Sequence, residues 1–200
     1  MRENKESILL DDLPETVTVN GKEYPIASDF RIGIIFEKIL HDDELDNEQI
    51  VYTALNLYYI DERPDSIADA LDGIMYFYSC GAKKKDQEKT PKAQSINQPR
   101  IYDFDYDADY IFAAFLTQYG IDLNELDYLH WWKFQALFKS LESHNKIVEI
   151  MGYRATDLGQ IKDKKERSRI AKLKTIYAIP ENLTVEDKVA RAGAAFGGML

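Results

Sequence analysis

A chain of 200 residues with 45% hydrophobic and 30% charged side chains can bury a substantial core and has the composition of an ordinary soluble globular protein. Its formal charge of −10 argues against general nucleic-acid binding, which relies on Lys and Arg to neutralise phosphates. The single cysteine, Cys80, excludes an internal disulfide framework and fits a reducing compartment, and no apolar run approaches the roughly 20 residues that span a bilayer.

Residues 1–12 read as a loose polar leader, too polar at Met1–Glu6 for a signal peptide, so the expected address is the cytoplasm. From Glu15 to Ile26, alternating β-branched residues run into Asn20-Gly21, a pair suited to a type I′ turn with positive φ at both central positions. Pro25 places its strand at an edge. Two strands are marginal alone, so this hairpin must lean on helices.

Ser28 or Asp29 caps a helix whose apolar stripe is Ile32, Ile35, Phe36, Ile39 and Leu40. Asn47 opens a second helix through Ile50, Val51, Ala54, Leu55 and Tyr58. Arg63-Pro64-Asp65-Ser66 starts a third, with Pro64 in the first turn, a stripe of Ile67, Ala70, Leu71, Ile74, Met75 and Tyr78, and a stop at Gly81. Short links between three amphipathic helices predict an antiparallel cluster, which with the hairpin forms an N-terminal part over 1–81. Residues 82–100 hold two prolines, a basic excess and one aliphatic side chain beyond alanine, and read as a flexible basic linker.

A C-terminal helical part over 101–180 follows. It opens with Asp103–Asp109 and runs into Tyr110–Leu116, which is apolar on every side and therefore expected to be buried; Gly120 ends that helix. Further helices are expected over 128–141, over Asn145–Met151 closed by Gly152, and over Asp163–Tyr177, where Asp163 and Glu166 have capping-box spacing. A helical turn lies near Thr156–Ile161, and the stripe of the last helix is Ile170, Leu173, Ile176 and Tyr177. Residues 181–200 form a tail with a short helix after Thr184 and a glycine-rich apolar end, either frayed or docked on a partner. The fold class is mainly α: a helical bundle of about seven helices in two halves, with one N-terminal β-hairpin.

The helix over 128–141 is the element around which the second half is organised. It holds both tryptophans, and at 100° per residue its apolar side chains fall on two arcs, Leu129, Trp132 and Ala136 on one, and Trp131, Phe134, Phe138 and Leu141 on the other. Two apolar faces need two covers. Either both are core, or Trp131, Phe134 and Phe138 line a groove for a partner helix.

No catalytic constellation emerges. Asp103, Asp105 and Asp107 match positions 1, 3 and 5 of a calcium loop, but Ala108 and Ala114 stand where that loop needs Gly and a bidentate Glu. Acidic residues favouring a helix N-terminus explain the run better, with an acidic metal-dependent enzyme using Asp103–Asp109 as the alternative. His41, His130 and His144 have no metal-ligand spacing with one another or with Cys80. Phosphate loops, nucleophile elbows and zinc motifs do not occur. Residues 162–174 carry seven Lys/Arg against two Asp/Glu, the pattern of a solvated basic face or of a nucleic-acid contact; the acidic remainder favours the former. Neither catalytic residues nor cofactors nor metals are expected, and the chain reads as an interaction protein.

Several segments together resemble the gene-product-fifteen family of tailed bacteriophages and prophages. They are Tyr24-Pro25-Ile26-Ala27-Ser28-Asp29-Phe30-Arg31, Ile111-Phe112-Ala113-Ala114-Phe115, Tyr119-Gly120-Ile121-Asp122-Leu123, Leu129-His130-Trp131-Trp132-Lys133-Phe134, Met151-Gly152-Tyr153-Arg154, and Lys172-Leu173-Lys174 leading to Tyr177-Ala178-Ile179-Pro180. The resemblance covers about residues 8–180. It implies a small cytoplasmic protein of a tail-morphogenesis gene cluster, lying between tail-tube and tape-measure genes. Proteins at that position look like tail-assembly chaperones that shield the tape-measure protein, alone or with a neighbouring tail chaperone; a structural role in the virion tail is the alternative. The family offers no catalytic residues to carry over.

Overall fold

The Asn20-Gly21 turn joins strands β1 (Thr16–Val19) and β2 (Lys22–Pro25) with φ of 52° and 80°, as the type I′ geometry requires. The register pairs Val17 with Tyr24 and Val19 with Lys22. Period-2 alternation sends Val17, Val19 and Tyr24 into the core. The computed structural model describes residues 8–82 and 100–180. The expected leader over 1–7, the linker from 83 to 99, and the tail over 181–200 with its helix after Thr184 lie outside the described residues.

Three helices follow the hairpin. Helix α1 (Phe30–Leu40) is capped by the Asp29 carboxylate, which accepts the Arg31 N–H at 3.0 Å. Helix α2 (Asn47–Tyr58) starts with a reciprocal capping box between Asp46 and Gln49. Helix α3 (Ile67–Tyr78) is capped by Ser66, so Pro64 precedes the cap instead of occupying the first turn.

Helix α2 buries Ala54, Leu55 and Tyr58 of its expected stripe, whereas the faces that α1 and α3 bury differ in part from theirs. Ile35 and Leu40 of α1, and Ile67 and Met75 of α3, are exposed. The buried lines run through Phe30, Gly33 and Phe36, and through Ala70, Gly73, Ile74 and Phe77. Both lines pass through a glycine because that is where another element comes closest. A Cβ at Gly33 would lie 2.2 Å from the Trp131 ring, and one at Gly73 would lie 2.8 Å from the Tyr59 hydroxyl. Counting apolar side chains alone misses glycine as a contact position.

Beyond residue 100 the chain forms α4 (Ala108–Tyr119), α5 (Trp131–Lys139), α6 (Lys146–Ala155), a 3-10 turn over Leu158–Gln160, and α7 (Lys164–Ile176). Seven α-helices and one two-stranded hairpin thus make the described protein mainly α. Three expectations need correction. Helix α4 is not buried all round: Ile111, Ala114 and Phe115 are inside, while Tyr110 and Leu116 are exposed. Helix α6 continues through Gly152 to Ala155, which brings Arg154 onto its last turn. The central helix begins at Trp131 and ends at Lys139 rather than spanning 128–141. Residues 128–130 stay extended because their backbone pairs with residues 28–30. The Phe30 N–H donates to the Leu129 carbonyl, and the Trp131 N–H to the Ser28 carbonyl, each at 2.8 Å.

These cross-links place α5 on α1 and α3 as well as on the elements after residue 100. One cluster of buried side chains runs from Val17 through Phe36, Ile74 and Phe115 to Ile147. Among the described residues no helix is long and apolar enough to cross a membrane.

Candidate functional site

Helix α5 is built from the cap inward. The His130 ring accepts the Trp132 N–H at Nδ1 (3.0 Å), leaving Nε2 to donate to the Pro14 carbonyl at 3.0 Å. That assignment requires a neutral imidazole, and burial pushes its pKa below the ordinary value in the same direction. His130 is therefore a helix cap that pins the segment before the hairpin. It has no substrate-facing role in this arrangement.

Trp131, Phe134 and Phe138, the candidate partner-binding residues, are 1%, 0% and 7% exposed. The Trp131 ring stacks on Tyr78, with centroids 5.4 Å apart, and its indole N–H donates to the Tyr78 carbonyl at 2.9 Å. On the other arc, Trp132 donates to the Phe77 carbonyl at 2.8 Å. Phe134 lies between Phe30 and Phe115, each ring stacked at 5.1 Å. Both apolar faces of α5 are covered by this same chain. Of the two readings, core or partner groove, the packing of Trp131, Phe134 and Phe138 against α1, α3 and α4 is that of core. Only Phe138 comes near the surface, where it borders a cleft of about 250 Å³ beside Tyr102, Lys139 and Met151.

The carboxylate run before α4 is likewise committed to structure. Asp107 is fully buried and receives both guanidinium nitrogens of Arg154, at 2.5 and 2.9 Å. Arg154 also donates to the carbonyls of Ile101 (3.0 Å) and Tyr177 (2.6 Å), tying together the first residues after 100, the start of α4 and the end of α7. Losing one partner of such a pair strands a buried charge, at a typical cost of about 3–5 kcal/mol. Because its carboxylate is taken, Asp107 makes no side-chain cap to α4. Asp103 accepts the N–H groups of Asp105 and Tyr106, folding the run into a turn. Among the described residues no three His, Cys, Asp or Glu side chains are grouped to hold a metal ion. In the sequence Arg154 stands out only as part of the Met151-Gly152-Tyr153-Arg154 segment, with no role attached to it. Its one signal was an arginine at the close of an apolar helix, the kind of position where a buried carboxylate partner is required.

The basic face of α7 is exposed, with Arg169 paired to Glu166 on the same helix. A second opening, about 530 Å³, lies between β1 and α3. None of the candidate partner-binding residues Trp131, Phe134 and Phe138 lines it.

The architecture defines a mainly α-helical protein with an aromatic core and one hairpin, in which the buried His130, Asp107 and Arg154 are spent on internal ties, while the buried Tyr58 hydroxyl has no hydrogen-bond partner among the described residues. The chain belongs to the family described as Bacteriophage Gp15 protein, whose family model matches residues 9–179. No curated protein and no solved structure matches it.

Proposed function

We propose that this phage protein is a non-enzymatic tail-morphogenesis factor, a tail-assembly chaperone that holds the tape-measure protein, with or without a neighbouring tail chaperone, while the tail tube forms. The observation that carries the reading is membership of the phage family over residues 9–179. The fold is compatible with it, because its interior carboxylates, imidazole and guanidinium serve caps and cross-links. Recognition on this reading falls to the surface and not to the Trp131 face.

The test is co-expression with the long helical tape-measure protein of the same phage. The expected outcome is that the long protein stays in solution and co-elutes with this chain. Failure to co-elute, together with recovery of this chain from purified particles, would replace the chaperone with a structural tail component. Calorimetric heats on titrating Ca²⁺, Mg²⁺ or Mn²⁺ would instead revive the metal-dependent alternative at Asp103–Asp109.

A further inference from the structure

We propose that the outer edge of β1 is a docking site for an extended, Lys- or Arg-bearing segment of a partner protein, which joins the hairpin as a third strand. This goes beyond the tail-assembly reading, because it concerns the mode of binding and does not require the partner to be the tape measure.

The argument starts from strand parity. The Ile26 N–H donates to the Glu15 carbonyl at 2.9 Å, and the register places Val17 opposite Tyr24 and Val19 opposite Lys22. In an antiparallel ladder hydrogen-bonded pairs alternate, so residues 15, 17 and 19 face β2 with their backbone groups. The N–H and C=O of Thr16 and Thr18 then point away from β2, and neither residue has a backbone partner there among the described residues.

The two edges of the hairpin are treated differently. On β2 the outward position nearest the core is Pro25, which has no N–H to offer, and the chain beyond it is occupied by an Ala27 N–H bond to the Tyr58 carbonyl. The β1 edge, Thr16-Val17-Thr18-Val19, carries no proline and no charge, the devices that usually blunt an edge strand. Such an edge is competent to pair.

A groove of about 530 Å³ runs alongside this edge. Its floor is Gly73, where an added Cβ would touch the methyls of Val17 and Val19 at 3.2 Å, so the helix approaches the strand closely. Its far wall is the line Asp69, Asp72 and Tyr76 on α3, and Glu23 stands on its hairpin rim. The Asp69 carboxylate is held by the Asn20 amide at 2.9 Å. Among the described residues no Lys or Arg lines the groove, and the Glu23 and Asp69 carboxylates on its two sides select a basic occupant. A second copy of this chain would bring the Glu23 and Asp69 carboxylates against their own counterparts, so the charge disfavours edge-to-edge self-pairing.

The test uses the full chain and a fluorescein-labelled, end-capped peptide of about eight residues alternating lysine and valine, long enough to span a strand. Binding is read by anisotropy, and amide exchange by NMR. The expected result is saturable binding that slows exchange of the Thr16 and Thr18 amides. It should weaken by about tenfold or more when alternate peptide amides are N-methylated or the lysines become glutamates. Thr18→Pro removes one outward N–H that the hairpin does not use and should weaken binding similarly with an unchanged circular dichroism spectrum. Equal binding of the N-methylated peptide, or protection confined to other elements, would overturn the proposal without relying on any variant. Dimerisation of the free chain that Thr18→Pro abolishes would assign the edge to a second copy and overturn it too. Loss of tape-measure retention with peptide binding intact would bear on the preceding reading alone.

Discussion

Glu37 projects from α1 and accepts hydrogen bonds from the hydroxyls of Tyr78 and Tyr102, at 2.9 and 3.3 Å. Burial raises its pKa above the ordinary 4.5, against the opposing pull of those two hydroxyls and of the more distant Arg100. A carboxyl whose folded value exceeds its unfolded value holds its proton more firmly when folded. Its contribution to stability is therefore greatest at low pH and declines as pH rises from 4.5 through the raised value. Glu37→Gln retains an oxygen for both hydroxyls and has no charge to bury. Urea unfolding at about pH 5 and about pH 8 should show the variant gaining on the wild type at the higher pH, with groups common to both cancelling. A gap independent of pH would show that Glu37 does not titrate in this window. Nothing in the local pattern marks this residue, because its two partners are 41 and 65 positions away. His130 shows the same limit. Its missing metal spacing was visible, but its role as a cap depends on Pro14, 116 residues earlier.

The contact between α1 and α5 requires a glycine at position 33. Its missing Cβ is the space that the Trp131 ring occupies. Gly33→Ala should destabilise by about 1–3 kcal/mol through overpacking, and Trp131→Ala by about 3–5 kcal/mol through the cavity it leaves. The double variant should cost less than the sum, because removing the ring makes room for the methyl. Denaturant unfolding of all four proteins in a double-mutant cycle measures the coupling; strict additivity would mean the two positions do not meet. Elements specified by local chemistry were legible: the Asn20-Gly21 turn and the Asp163 cap both follow from side chains within three residues. What could not be read was the direction each helix faces. Gly33 and Gly73 carry no hydrophobic signal, and the extended pairing of 128–130 with 28–30 overrides local helix preference at the start of α5.

At the scale of the whole molecule, the buried cluster crosses the segment 83–99 that separates the helices in sequence. Trp131 and Trp132 both donate to α3 carbonyls, and Phe134 stacks on α1 as well as α4. Covalent continuity should then be dispensable once the protein is folded. A protease site inserted within 83–99 should yield, after cleavage, two fragments that co-elute in size-exclusion chromatography with the circular dichroism of the intact chain. Separation of the fragments would show two independent bodies. Composition marked 83–99 as a poor contributor to burial, but composition is silent on whether the flanking parts share a core. That depends on which faces meet, and α5, expected to organise the second half, packs on α1 and α3 as well.

The extended pairing of residues 28–30 with 128–130 also constrains the order in which this chain becomes a protein during synthesis. The slot over Gly33 and the aromatic surface of Phe36, Phe77 and Tyr78 belong to the first 80 residues, yet the side chain that closes them is at position 131. A nascent chain translated only as far as α3 has no Trp131 to cover that surface, and joining positions about 100 residues apart is the slow kind of contact to form. The ribosome must release α5 before the opening helices are sealed, so the interval between their emergence is when this chain is most exposed to aggregation and to other proteins.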